Sequence, residues 1–148
     1  MNYRETMSRL NTTLNHIDSA YAVIAKKYGL TFNALMTVCL IDELNNVTQK
    51  QICDALHLPK STVHSILSGF IKQEYVIHVA GSNKKEKFID FTKLGKQFFV
   101  KVLEETHRFE DKVLSTLGDD TCLLLIETSE KIGGIIKDEI AKISNREL

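Results

Sequence analysis

Three short runs hold most of the side chains in this chain that could do recognition chemistry. They are Lys60-Ser61-Thr62 followed by His64, Ser65 and Ser68, then Thr48-Gln49-Lys50 upstream, and Asn83-Lys84-Lys85 with Lys87 downstream. The chemistry they offer is non-covalent. Short hydroxyls can come close to base edges and phosphate oxygens, and lysine ammoniums neutralise phosphate charge. Backbone N–H groups at a helix start, such as Thr48-Gln49-Lys50 would open, can hold a phosphate with help from the helix dipole. Taken alone, Lys-Ser-Thr is also what an ordinary solvated helix start looks like, and a lysine run is also an ordinary solvated loop.

Other chemistries find little support. Catalysis needs a nucleophile with a base and an orienting group, a glycine-rich phosphate loop or a carboxylate pair, and none is legible here. The chain therefore reads as no enzyme, and no cofactor is implied. His16, His57, His64, His78 and His107 are scattered with no HxxxH pair, so no metal site is expected. Cys39, Cys53 and Cys122 are isolated, without CxxC spacing, which argues against a disulfide framework or a zinc knuckle. Cys39 and Cys53 fall on apolar faces, where a thiol is usually inert.

Composition limits the partners. The 148 residues carry 19 basic and 19 acidic side chains, so a surface for nucleic acid has to be a local patch. Apolar residues make up 43%, which is enough for a folded single domain spanning residues 1–148. One proline and seven glycines favour long helices over an all-β fold. No apolar run approaches the roughly 20 residues of a membrane span, and Met1–Leu10 lacks the apolar segment of a signal peptide, so a cytoplasmic protein with no membrane partner is expected.

The elements that must position the polar runs follow from periodicity. Met7, Leu10, Leu14, Ile17, Tyr21 and Ile24 recur at helical spacing within 3–27, and Gly29 supplies a left-handed stop. Thr31 can cap a second helix that is apolar nearly all round. Thr48 precedes a third of about eight residues, with Ile52, Ala55 and Leu56 expected on its buried face. After the His57-Leu58-Pro59 bend, Val63, Ile66, Leu67, Phe70 and Ile71 define one side of a fourth helix, making a helix-turn-helix. Tyr75–Val79 and Phe88–Phe91 read as a two-stranded hairpin. Thr92 starts a long helix closed by Gly118, and Asp119 or Asp120 can cap the last. That last helix holds Leu123, Leu125, Ile126, Ile132, Ile135, Ile136, Ile140 and Ile143, more apolar surface than one chain covers easily. A symmetric dimer through residues 3–27 and 120–145 is therefore expected.

This order of elements, six helices with one hairpin, resembles the MarR family of bacterial regulators over essentially the whole chain. Gly29-Leu30-Thr31 looks like the family's GLT start, and Val47-Thr48-Gln49-Lys50-Gln51-Ile52 like its T-Q-x-E-I entry. Leu58-Pro59-Lys60-Ser61-Thr62-Val63 is similar to the stretch that opens the family's recognition helix. Gln73-Glu74-Tyr75-Val76 parallels the K-x-G-L-V run into the wing, and Phe91-Thr92-Lys93-Leu94-Gly95-Lys96 the L-T-x-x-G-K/R run out of it.

The resemblance implies a mainly α fold with a small β-hairpin wing and a winged helix-turn-helix lobe at 31–92. Lys60, Ser61, Thr62, His64, Ser65 and Ser68 would then face double-stranded DNA, Thr48, Gln49 and Lys50 would hold a phosphate, and Asn83, Lys84, Lys85 and Lys87 would lie against phosphates or the minor groove. It further implies a sequence-specific, homodimeric repressor tuned by a small aromatic or amphipathic ligand near His16, Tyr21, Cys39 and His107. The family's wing usually carries Asp-x-Arg, whereas Ser82–Lys87 has no such pair. Arg4, Arg9, Arg108 and Arg146 all lie outside the helix-turn-helix and wing, so bidentate guanine readout by arginine is not on offer there. Neutral charge and missing arginines leave room for an alternative, a winged-helix module that binds another protein and has lost DNA binding.

Overall fold

Local signals start and stop each element where the chain needs to turn. In the computed structural model, which describes residues 1–83 and 85–145, α1 (Tyr3–Lys27) begins where Asn2 accepts a hydrogen bond from the Glu5 amide. It ends in a Schellman turn, with the Leu30 amide donating to the Ala25 carbonyl at 2.9 Å and the Gly29 amide to Lys26 at 3.1 Å. Gly29 takes the left-handed φ of +71° that this turn requires. The Thr31 hydroxyl then caps α2 (Phe32–Glu43) by accepting from the Ala34 amide at 3.1 Å. As expected for a central helix, α2 buries Ala34, Leu35, Thr37, Val38 and Ile41, and the buried Thr37 hydroxyl donates back to the Asn33 carbonyl.

After β1 (Val47–Thr48), α3 (Gln49–Leu56) opens with a full capping box. The Thr48 hydroxyl accepts from the Gln51 amide, while Gln51 Oε1 accepts from the Thr48 amide at 2.8 Å. Its buried face is narrower than the spacing suggests. Ile52 is fully buried, but Ala55 is exposed and Leu56 half-buried, because two turns present only one position squarely to the core. His57 ends α3 in the left-handed region (φ 50°, ψ 40°), and Pro59 leads directly into α4 (Lys60–Lys72). Val63, Leu67 and Phe70 are the buried residues of α4, and Ile66, expected inward, is only half-buried at its flank.

The hairpin is present as β2 (Val76–Ala80) and β3 (Lys87–Phe91), in register from Val76 opposite Phe91 to Ala80 opposite Lys87. It gains a third strand that periodicity could not reveal. β1 pairs with the other edge of β3, Val47 opposite Ile89 and Thr48 opposite Phe88, giving the order β1-β3-β2. Two residues are too few to display an alternation.

The long helix α5 (Lys93–Leu117) starts at Thr92, whose hydroxyl accepts from the Gly95 amide at 2.9 Å and donates to the Glu74 carbonyl at 2.6 Å. One side chain of α5 ties the lobe together. Phe99 is fully buried, with its ring 5.1 Å from Phe70 of α4, 5.6 Å from Tyr75, 5.5 Å from Phe91 of β3 and 5.1 Å from Phe98. At the end of α1, Lys27 and Tyr28 both hydrogen-bond the Glu105 carboxylate.

The chain divides into two compact units, residues 1–106 and 107–148. Within the second, Gly118 (φ +89°) precedes α6 (Asp119–Ser144) without any side-chain cap. Asp119 and Asp120 lie in the first turn of α6 instead of capping it, where their charge still suits the positive end of the helix dipole. No residue of α6 is buried, and Leu123 and Leu124 are 67% and 62% exposed. In the first unit, Met7, Leu14 and Ile17 of α1 are about half exposed. Among the described residues no helix is long and apolar enough to cross a membrane.

Candidate nucleic-acid interface

The side of α4 opposite Val63, Leu67 and Phe70 is a polar stripe. Lys60, Ser61, His64, Ser65 and Ser68 are all exposed, and at 100° per residue positions 61, 64, 65 and 68 fall on one face. Gly69 adds no bulk, and Lys72 continues the stripe one turn further, a basic residue that its position after the apolar run does not mark out in the sequence. Ser68 Oγ lies 3.3 Å from His64 Nε2, so these two side chains form a pair. Thr62 is half-buried beside Ile66 and borders the stripe.

The start of α4 meets the starts of two other helices. Gln49 Nε2 donates to the Lys60 carbonyl at 3.4 Å, and Gln49, Lys50, Cys53 and Lys60 line a concavity of about 430 Å³. On the other side Thr31 and Asn33, from the start of α2, share a concavity of about 470 Å³ with Ser61, Thr62, Ser65 and Ile66. The sequence pattern marks residues 31 and 33 only as a helix opening. The missing signal is spatial, since nothing in the sequence places the start of α2 beside α4.

Two of the residues expected to hold a phosphate through backbone N–H groups have side chains engaged elsewhere. The Thr48 hydroxyl is engaged in its capping box, and Lys50 Nζ sits 2.5 Å from Asp54 Oδ2. The hydrogen bond and charge of Asp54 hold the Lys50 ammonium above its ordinary pKa. In the wing, Lys85 and Lys87 are exposed, and Asn83 Oδ1 accepts from the Lys85 amide at 2.8 Å and the Glu86 amide at 3.2 Å. Asn83 thus shapes the loop that presents its neighbours. Lys84 lies outside the described residues.

The residues expected near a small ligand are spread out. His16 is exposed on α1, while Tyr21 and Cys39 are half-buried on α1 and α2. His107 belongs to the second unit. None of the four lines either concavity above, nor a third of about 670 Å³ in the second unit bordered by Arg108, Lys112 and Cys122. Among the described residues, no cluster of three or more His, Cys, Asp or Glu could hold a metal.

Comparison with known families resolves the lobe. The MarR family model matches residues 28–84, from the end of α1 to the wing loop. The winged helix of this chain is similar to the MarR family. The MarR fold extends well beyond the matched segment. A MarR family regulator from Neisseria meningitidis is 22% identical with a TM-score of 0.81, over 96% of this chain and 99% of that one. MepR of Staphylococcus aureus, solved in complex with DNA, is 13% identical with a TM-score of 0.71, over 92% of this chain and 99% of that one. Staphylococcus aureus MarR, solved with salicylate and kanamycin, is 16% identical with a TM-score of 0.70, over 93% of each chain. At these identities the likeness is one of fold. No curated protein matches the chain in sequence.

Proposed function

We propose that this chain is a cytoplasmic, homodimeric transcriptional regulator that inserts α4 into the major groove of double-stranded DNA and represses by occupying its operator. The observation that carries this reading is the exposed stripe of Lys60, Ser61, His64, Ser65 and Ser68 on a helix whose other side is locked into the Phe99 cluster. Side chains held on so firm a support meet base edges without disturbing the core. Lys60, Lys72, Lys85 and Lys87 supply charge against the phosphates, and the uncapped start of α4 beside that of α2 offers backbone N–H groups to them. MepR, with the same fold, was solved on DNA.

A second copy of the chain is the proposed cover for α6, which buries none of its own residues while exposing Leu123, Leu124, Ile135, Ile136 and Ile140. The exposed seam of α1 is proposed to be covered in the same way, so residues 3–27 and residues 120–145 each contribute to the proposed dimer surface. A two-fold dimer would set two recognition helices about 34 Å apart, one turn of duplex. A small aromatic or amphipathic ligand is proposed to tune binding, as the salicylate-bound Staphylococcus aureus MarR suggests. His16, Tyr21 and Cys39 are the first-unit residues to test for it.

The deciding experiment is genomic footprinting of the purified protein at several salt concentrations. Specific footprints whose log affinity falls linearly with log salt support the reading. No duplex binding even at about 50 mM salt refutes it, and then the protein-binding alternative, which the neutral net charge and the Lys50–Asp54 pair favour, takes its place.

A further inference from the structure

The exposed stripe of α4 contains one ring side chain that is paired with a neighbour on the same face. His64 Nε2 faces Ser68 Oγ at 3.3 Å, one turn along an exposed face that carries only hydroxyls, Gly69 and the two terminal lysines. A histidine ring has two nitrogens, so engaging Nε2 with Ser68 leaves Nδ1 for a partner outside the helix. We propose that Ser68 is a positioning residue that orients His64 so that Nδ1–H donates to the N7 acceptor of a purine in the major groove. This rests on the DNA reading above and assigns one base contact within it.

The proposal selects among the three forms of the ring. If Ser68 donates to Nε2, the hydrogen of a neutral ring lies on Nδ1, and if the ring carries both hydrogens, Nε2 donates to Ser68 while Nδ1 still donates; the neutral form with its hydrogen on Nε2 leaves Nδ1 an acceptor and does not make this contact. The first two arrangements meet the acceptors N7 and O6 of guanine or N7 of adenine. With no arginine within the helix-turn-helix or wing, His64 is the planar donor this stripe has for a purine edge, and Ser61 and Ser65 beside it are short enough to let the ring approach.

The test uses a duplex enriched by the wild-type protein from a random-sequence pool, in which each purine is replaced singly by its 7-deaza analogue. These analogues lack N7 yet keep Watson–Crick pairing. One purine per half-site should be found whose replacement weakens the wild type about tenfold, the size of one good hydrogen bond. The same replacement should cost His64→Ala nothing and Ser68→Ala about threefold, while Ser68→Thr, which keeps the hydroxyl, should restore the full tenfold effect. Thermal melting of each variant checks that folding is unchanged. The inference is overturned if no purine shows the effect, if His64→Ala keeps it, or if Ser68→Ala matches the wild type. Failure to enrich any duplex removes the DNA reading itself, a result distinct from enrichment without a 7-deaza effect.

Discussion

Gly95 is the position where a single methyl group should do the most damage for its size. A Cβ there would lie 1.8 Å from the Tyr75 carbonyl oxygen and 2.7 Å from its carbon, both backbone atoms that no rotamer change can move. Opening 1.8 Å to the 3.4 Å of ordinary contact requires about 1.6 Å of movement between α5 and the entry to the wing. The Thr92 amide bond to the Tyr75 carbonyl (3.0 Å), the Thr92 hydroxyl bond to Glu74 and the 4.1 Å stack of Tyr75 on Phe98 all span that gap. At about 1 kcal/mol for each hydrogen bond and a similar amount for the rings, against about 1 kcal/mol gained from replacing glycine in a helix, Gly95→Ala should cost about 2 kcal/mol. In urea that is a fall in midpoint of about 1 M, taking a slope near 2 kcal/mol/M. Gly69→Ala is the control, a helix glycine whose added Cβ meets nothing within 4 Å, and it should gain about 0.5–1 kcal/mol. Both variants are compared with the wild type at one protein concentration, because association would shift the midpoint. A Gly95→Ala midpoint at or above the wild type would refute the reasoning.

Glu74 holds φ at +61°, where the family run it parallels has glycine, so Glu74→Gly should stabilise by about 0.5–1 kcal/mol in the same denaturation assay. Charge reversal at Lys85 and Lys87 should weaken binding to every duplex alike and reduce the salt slope by about one for each phosphate that is no longer neutralised, measured by titration at several salt concentrations. Ser65→Ala should leave the melting temperature unchanged, because Ser65 is exposed, yet cost about 1–3 kcal/mol against the preferred duplex and almost nothing against a scrambled one. Sedimentation at micromolar concentration should find a dimer, and Leu123→Asp with Ile136→Asp should shift it to monomer, whereas a stable wild-type monomer would sink the symmetric assembly.

What the sequence makes legible tracks the range of the interactions involved. The Thr31 and Thr48 caps, the left-handed stop at Gly29 and the α3–α4 bend are all decided within four residues, and each appears where the local pattern puts it. Contacts that close over longer distances stay hidden. The pairing of Val47 with Ile89, the nearness of Thr31 and Asn33 to Ser61, and the role of Gly95 against Tyr75 depend on where the lobe folds back on itself. Burial departs from the apolar pattern at the margins, at Ala55 and Ile66, because a short helix touches the core along a narrower line than its full set of apolar positions. Lys50 illustrates a different blindness. Its neighbour Asp54, four residues on, stands at an ion-pair spacing visible in the sequence, and the pair engages the Lys50 ammonium while leaving the backbone N–H groups of the helix start as they were.

Thr48 belongs to two systems at once, capping α3 through its hydroxyl and lying opposite Phe88 in the sheet that ends in the wing. Mechanically this makes the wing a lever whose fulcrum is the first residue of the helix-turn-helix. A push on the wing tip would pass down β3 and load the cap of α3, with Phe91 and Phe99 bracing the same strand from the other side. Residues 47–91 should then yield as one stiff body, and a misfit between this lobe and a duplex would be absorbed by bending the duplex or by motion outside that span.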